Sequence, residues 1–404
     1  MIRKRIAIVS SYKIYCGIAY AAEQLEIGLK KFYDIDIIPV DHDFTHWVAP
    51  ATSVRAGLRF AKDIASKVRD YEYVNMQLEP GLFGRHPFFM WRRICPILEA
   101  VRGKLIITLH YAELPAPITL RNIFASIRQY NVFGPFVFFY QRYWCSKFWS
   151  IIRRMMAEKR LTMLILNNSE RLRFKHAAQL TRVLTHPLCY MDEKEREHFR
   201  NLRKPDFRQL FRYEANDVML GVFGMVTPTK GTVDAIRALA HLPKHFKLAI
   251  FGGTNIRIQP HFEECSPYLQ TMIQLVKALK LEDRVTFYGT TTNDEMAQAV
   301  AQVDIVILPY PETYQMASGP GSLAIELAPK IIATDTFAFN CYDDYFPGRM
   351  RKYDSGNYMQ LAQMITDLQA EPMPKTVPYP AFNADTQAEF YRDIWEGTID
   401  PECA

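Results

Sequence analysis

The chain has 404 residues, a net charge of +6, 49% hydrophobic and 23% charged residues, the balance of a globular protein too long for one average domain. No uninterrupted apolar stretch approaches the ~20 residues that span a bilayer, and the mildly basic charge suits a phosphate-bearing ligand or an anionic surface. Seven cysteines at 16, 95, 145, 189, 265, 341 and 403 form no CxxC pair, so no zinc or redox motif is indicated and reduced thiols in a cytoplasm are expected.

Residues 5–10 form a short apolar run rich in β-formers, too short for a signal peptide. Gly17 opens a turn, and the spacing predicts a helix over 18–32. Buried strands are predicted at 36–40, 73–77, 105–109 and 161–166, with a weaker one at 182–185. Strands alternating with helical patterns imply a parallel sheet with helices on both faces. The charge-dense stretch 192–216 is expected to connect two halves and to be partly helical. The rhythm then restarts with strands at 218–223, 247–251, 284–288, 305–308 and 331–333. Helices are predicted between them at 232–242, 268–279, 294–303 and 323–327. A Pro-rich stretch at 372–380 interrupts the series before a last helix at 386–395.

In an open parallel sheet, ligands sit beyond the carboxyl ends of the strands. The loop 224–231, between Gly224 and a helix start, carries Lys230, which either aims a charge at a diphosphate or is a solvent-facing lysine in a turn. Ser318-Gly319-Pro320-Gly321-Ser322 leads into a helix bearing Glu326. Its glycines let backbone N–H groups approach an anion, and a carboxylate there can accept both hydroxyls of a ribose. The bland alternative is a Gly-rich turn with a surface glutamate. His110 ends a buried strand, where it can hydrogen-bond a sugar hydroxyl; a lone histidine there is more often structural. No Walker A loop and no Asp-x-Asp metal motif is present, and no metal is expected.

Residues 121–160 hold eight Lys/Arg and one acid, Glu158. Trp144, Phe148, Ile151, Ile152 and Met155 share one helical face, and Arg142, Lys147, Arg153 and Arg154 lie largely off it. With Trp149, these are candidates for contact with a membrane or an acceptor. The same pattern fits a helix packed on its domain with a solvated basic face. Aromatic and basic residues also suit single-stranded nucleic acid, but no RNA-binding module signature accompanies them.

The order of these motifs resembles the retaining nucleotide-sugar glycosyltransferases of the GT-B fold, group 1 or family 4 type. The matching residues are Val222-Phe223-Gly224 with Lys230-Gly231, 248–253, 284–289, 304–309, 318–326 and 330–334, then Val74-Asn75-Met76-Gln77-Leu78-Glu79 and 104–110 in the first half. The resemblance implies an α/β fold of two Rossmann-like domains with parallel sheets facing a central cleft. Residues 1–191 would bind the acceptor, 192–217 connect, and 218–385 bind the nucleotide sugar, with a C-terminal helix in 386–404 packing back on the first domain. By position, Lys230 would contact the donor diphosphate, and Glu326 would hold the ribose. Gly321 and Ser322 would offer backbone donors, His110 would face the transferred sugar, and Gly17 would line the diphosphate side. Gly224, Gly252, Gly253, Ser318, Gly319 and Leu323 complete the donor set. His110, Lys230 and Glu326 are the catalytic candidates.

Two positions depart from the family. Relatives often carry a glutamate where Ser318 stands and an arginine where Met225 stands, groups that would touch donor sugar or phosphate. The implied activity is retaining transfer of a hexose-type sugar from a UDP- or GDP-type donor, without a further cofactor, to a glycan or lipid-linked acceptor. Bacterial polysaccharide or glycolipid synthesis is the implied setting, in the cytoplasm and peripheral to the inner face of the plasma membrane. A nucleotide-sugar epimerase and a non-catalytic subunit of a glycan-assembly complex are the alternatives.

Overall fold

The computed structural model describes residues 3–14, 16–40, 50–84, 87–111, 113–202, 206–253, 266–312, 316–372 and 381–402. Cys265, Cys403 and nearly all of the Pro-rich stretch 372–380 lie outside the described residues. The chain divides into two compact units. Unit 1 comprises Met1–Lys13, Leu25–His186 and Ala388–Ala404, and unit 2 comprises Ile14–Gln24 and Pro187–Gln387.

Unit 1 is built on a six-stranded parallel sheet. Its strands are β1 (Arg5–Ser10), β2 (Asp34–Pro39), β3 (Tyr73–Leu78), β4 (Lys104–Leu109), β5 (Leu161–Ile165) and β6 (Val183–Thr185), in the order β2-β1-β3-β4-β5-β6. All six residues of β3 are buried, as are all but the first of β1 and β4. That is why these strands read as continuous apolar runs rather than as alternating ones. Among the described residues the helices before β7 that accompany the sheet are α1 (Gly17–Leu29), α2 (Pro50–Val68), α3 (Pro87–Ala100), α4 (Leu120–Tyr130), α5 (Gly134–Ala157) and α6 (Ser169–Ala177). The first part of α1 falls in unit 2.

The basic aromatic stretch is a helical hairpin rather than one helix. At Asn131, φ is +55° and α4 stops, and a 3₁₀ turn (Asn131–Phe133) leads into α5. Ser126 Oγ donates to the Gly134 carbonyl at 2.6 Å. A Cβ at Gly134 would fall 2.4 Å from the Ser126–Ile127 backbone, so only glycine lets the two helices meet so closely. The aromatic face expected to meet a membrane is instead core. Phe148, Trp149, Ile151, Ile152 and Met155 are 3% exposed or less. Phe148 packs 4.6 Å from Trp91 on α3, and the Trp149 indole donates to the Glu113 carbonyl at 3.1 Å. Trp144 is half-buried under Lys147, whose ammonium stands 5.2 Å from its ring centroid. The flanking cations are engaged too. Lys147 pairs with Glu99 at 3.5 Å and Arg154 with Glu158 at 3.9 Å, while Arg142 and Arg153 donate to the carbonyls of Ala116 and Ala178. The apolar stripe satisfied the tertiary core, which amphipathicity alone cannot tell from a membrane face.

Unit 2 repeats the plan with β7 (Val218–Phe223), β8 (Phe246–Phe251), β9 (Val285–Gly289), β10 (Ile305–Leu308), β11 (Ile331–Thr334) and β12 (Arg351–Tyr353), ordered β12-β11-β10-β7-β8-β9 and all parallel. The stretch 192–216 supplies α7 (Glu193–Asn201) and α8 (Phe207–Leu210). The other helices are α9 (Thr232–Ala240), α10 (Pro267–Ala278), α11 (Asn293–Gln302), α12 (Gly319–Leu327), α13 (Phe337–Asn340), α14 (Tyr342–Tyr345), α15 (Tyr358–Ala370) and α16 (Ala384–Glu396). Both α7 and α11 start with reciprocal capping boxes, Asp192 with Glu195 and Thr292 with Glu295, which explains their sharp N-termini. Strand β12 was not legible in the sequence: Arg-Lys-Tyr is short and polar, and only Tyr353 is buried.

From Ala388 onward α16 belongs to unit 1. Trp395, 1% exposed, stacks on Tyr73 at 5.5 Å with the rings 2° from parallel, and Tyr33 meets its edge at 5.9 Å. Tyr33 also donates to Glu396 at 2.8 Å. Among the described residues no helix is long and apolar enough to cross a membrane. Because two aromatic rings on β3 and the loop after α1 depend on the Trp395 side chain, Trp395→Ala is expected to lower unfolding stability by ~3–5 kcal/mol. Urea denaturation followed by far-UV circular dichroism measures it, and a change under ~1 kcal/mol would show the last helix to be dispensable.

Candidate functional site

In the second sheet β7 is the point where strand order reverses, its neighbours being β8 on one side and β10 on the other. At such a switch the connections leave in opposite directions and a crevice opens at the carboxyl ends. A pocket of roughly 200 Å³ lies there. Its lining includes Gly224 and Met225 after β7, Lys230, Asn293 and Met296 of α11, Gly319, Pro320 and Leu323 of α12, and Cys16, Gly17, Tyr20 and Tyr190. All of these belong to unit 2.

Three glycines shape the loops beneath it. Gly224 has φ +105°, and its N–H donates to the Phe251 carbonyl at 3.0 Å. Gly252, at φ +154°, would place a Cβ 1.8 Å from the Gly224 carbonyl oxygen. Gly231, at φ +62°, would place one 1.7 Å from the Pro309 carbonyl oxygen. These close approaches forbid side chains and lace the ends of β7, β8 and β10 together. Gly252 and Gly253 therefore support the site without lining it; Gly253 contributes a carbonyl that accepts from Val226 at 2.9 Å.

Lys230 ends a 3₁₀ turn (Pro228–Lys230), and its ammonium stands 4.0 Å from the centroid of the buried Tyr310 ring. It forms no ion pair among the described residues, so a cation without a counter-charge faces the pocket. Ser318, fully buried, caps α12: its Oγ accepts from Gly321 N–H at 3.1 Å and bonds Tyr310 OH at 2.9 Å. Ser322 N–H donates to the Ser318 carbonyl at 2.8 Å, and Ser322 Oγ bonds Tyr342 OH at 2.9 Å. The backbone donors expected of Gly321 and Ser322 are thus spent inside the cap. Gly319 carries the foremost N–H of the helix and lines the pocket.

Glu326 does not line the pocket. It is 3% exposed, and its Oε1 accepts from the backbone N–H of Tyr190 and Met191, at 3.0 and 3.3 Å, and from Arg196 at 3.0 Å. Its Oε2 is buried without a partner. Burial pushes its pKa up, and Arg196 and the two amides oppose that shift. Arg196 also donates to the Phe382 carbonyl at 2.7 Å, and Arg200 donates to the Glu326 carbonyl at 2.6 Å. The carboxylate expected at a ribose is therefore committed to fixing the 190–191 backbone.

That backbone presents Tyr190, which the sequence did not single out. Its ring stacks on Tyr20 at 4.6 Å. Its hydroxyl is buried without a hydrogen-bond partner, 3.0 Å from where a Cβ on Gly319 would stand and 3.9 Å from one on Gly17. Burial holds the phenol protonated, so it is a donor aimed between two glycines. Met225, 39% exposed, stands in the lining.

Residues 204–315 match the family model described as glycosyl transferases group 1. No curated protein matches the sequence. Among solved structures, a glycosyltransferase from Rickettsia africae is similar at 13% identity and TM-score 0.62, over 98% of this chain and 94% of that one. HepE of Anabaena, solved with UDP and glucose, is similar at 14% identity and TM-score 0.59, over 98% of each chain. Sucrose-phosphate synthase of Thermosynechococcus elongatus is similar at 13% identity and TM-score 0.62, over 99% of this chain and 96% of that one. The chain is a glycosyltransferase with the GT-B fold.

In unit 1 the glycosyltransferase holds His110 at the end of a polar chain. His110 Nε2 meets Gln77 Oε1 at 2.8 Å, Gln77 Nε2 donates to Asn75 Oδ1 at 2.8 Å, and Asn75 Nδ2 donates to Thr108 Oγ1 at 3.1 Å. Thr108 in turn bonds Tyr391 OH. Since Gln77 spends its amide N–H on Asn75, its oxygen must accept, so His110 carries its proton on Nε2 and leaves Nδ1 as an acceptor. Desolvation lowers the His110 pKa from 6.5 to about 4, and the ring is neutral at pH 7. Among the described residues no cluster of three His, Cys, Asp or Glu gathers as metal ligands would.

The folded chain refuses a proton at His110 that the unfolded chain accepts, so this residue's stabilisation is complete above pH 6.5 and is lost as pH falls toward about 4. Glu79, pushed up to about 7 by burial, acts with the opposite sign. Comparison with His110→Asn isolates the histidine: urea midpoints of the native protein should fall relative to the variant across that window. Parallel pH profiles would refute the assignment.

Proposed function

We propose that the protein transfers a hexose-type sugar from a UDP- or GDP-type nucleotide sugar to a glycan or lipid-linked acceptor, with retention of anomeric configuration, in polysaccharide or glycolipid synthesis. The observation that carries this reading is Lys230: a cation with no ion-pair partner among the described residues, beside the N-terminal end of α12, in a pocket at the switch point of a parallel sheet. A leaving nucleoside diphosphate gathers negative charge as the glycosidic bond breaks. Lys230, the Gly319 N–H and the partial positive charge of the helix end supply preorganised compensation at that place. The HepE structures, solved with UDP and with UDP-glucose, support a nucleoside diphosphate donor.

Tyr190 adds a neutral donor to the same pocket. An uncharged hydroxyl suits a phosphate oxygen or a sugar hydroxyl, and it stands where two side-chain-free residues let a ligand approach. Glu326 acts through it as a positioning residue. A neutral His110 with a free acceptor nitrogen suits a sugar hydroxyl, since it brings orientation without charge.

Thermal-shift screening across UDP-, GDP-, ADP- and dTDP-sugars should find a donor that raises the melting temperature. Lys230→Ala should abolish that shift and lower kcat/KM by about 10²–10³-fold; unchanged binding and turnover would end the donor assignment. Tyr190→Phe should weaken donor affinity by about tenfold while leaving the ligand-free protein equally stable or slightly more so, because a buried, unpartnered hydroxyl is removed. Equal affinity with and without the hydroxyl would return Tyr190 to a packing role.

A further inference from the structure

The face of the α4–α5 hairpin turned away from the core carries a concentration of large apolar side chains. Nine of the fifteen exposed large hydrophobic residues among the described residues fall within 118–143, so the exposure is concentrated and not scattered. Leu120, Phe124 and Ile127 recur at helical spacing along α4. On α5, the exposed Phe136, Phe139 and Tyr143 form a stripe roughly opposite Phe148 and Ile152, which are in the core. At the hairpin turn Val132 is 83% exposed and Phe133 70%, so the tip projects into solvent.

The charge around this face has one sign. From 114 to 157 the sequence contains six Lys/Arg and no Asp or Glu. Four of those cations are tied down as described above. Arg121 and Arg128, exposed on α4 beside the apolar stripe, have no partner among the described residues. The hairpin is braced by Ser126 and Gly134, so the face is held ready rather than formed on contact.

We propose that this face docks on an anionic lipid bilayer, with Val132 and the Phe133–Phe136 edge entering the interface and Arg121 and Arg128 lying over the headgroups. A projecting aromatic tip flanked by unpaired cations matches a surface that is apolar within and negative at its boundary. The proposal stands on this hairpin alone and holds whichever sugar nucleotide the other unit binds. It also names a different face from the one the sequence suggested.

The test is co-sedimentation of the full chain with vesicles of phosphatidylglycerol and phosphatidylcholine, against phosphatidylcholine alone. The protein should pellet with the anionic vesicles and release as salt rises. Phe133→Ser with Phe136→Ser should cut the bound fraction's affinity by about tenfold or more, and Arg121→Gln with Arg128→Gln should weaken it and flatten the salt dependence. All four side chains are solvent-exposed or partly so, and unchanged melting temperatures would confirm that the variants fold. Absence from the pellet at low salt, or equal binding by both double variants, would overturn the proposal. So would a dimer in sedimentation equilibrium that the Phe133/Phe136 variant dissolves, which would make a second copy the occupant.

Discussion

One buried oxygen organises the candidate site. Glu326 Oε1 takes hydrogen bonds from two consecutive backbone amides and a guanidinium, and through them ties α12, α7 and the segment before α16. A carboxylate and an arginine, both nearly inaccessible, offset each other's desolvation only while the pair is intact; removing one partner from such a pair costs about 3–5 kcal/mol. The geometry of Tyr190 follows from this, because the amide of Tyr190 is one of the three donors. The phenol is left facing a pocket with nothing to bond to, a local cost sustained by the ion pair behind it.

The two units solve one problem with different polar devices. In unit 2 the strand ends are drawn together by backbone: glycines with positive φ at 224, 231 and 252 allow carbonyls and amides of adjacent loops to meet. In unit 1 side chains do this, through a relay from His110 across Gln77 and Asn75 to Thr108 and Tyr391. Inside a sheet buried on both faces each of these groups needs a partner, and the chain of acceptors and donors sets the tautomer of the one residue at its open end. Orientation of His110 is thus a property of the sheet rather than of the histidine.

Helix α5 shows why amphipathicity is an ambiguous signal. The stripe through Phe148, Ile152 and Met155 and the stripe through Phe136, Phe139 and Tyr143 are both apolar and lie on roughly opposite sides of one helix. The first is buried by α3 and the strands, and the second is left in water. Both runs are rich in aromatics and interspersed with cations, so periodicity detects that there are faces but does not rank them. The ranking depends on which residues lie beneath the helix once the sheet has formed.

The α/β class, the two-sheet plan and eleven of the twelve strands among the described residues were legible in the residues alone, because strands buried on both faces must be apolar throughout and helices between them must keep a period near 3.6. The sequence also placed Lys230, Gly224 and Gly319 in one loop neighbourhood, since ligands gather at the carboxyl ends of parallel strands. The polar strand Arg-Lys-Tyr at β12 was invisible, carrying neither an apolar run nor a turn signal. The amides of Gly321 and Ser322 go to a local cap on Ser318, but that Glu326 faces Arg196 and Tyr190 faces the pocket emerged only on folding. Both outcomes rest on a partner more than a hundred residues away, which leaves no mark in local spacing.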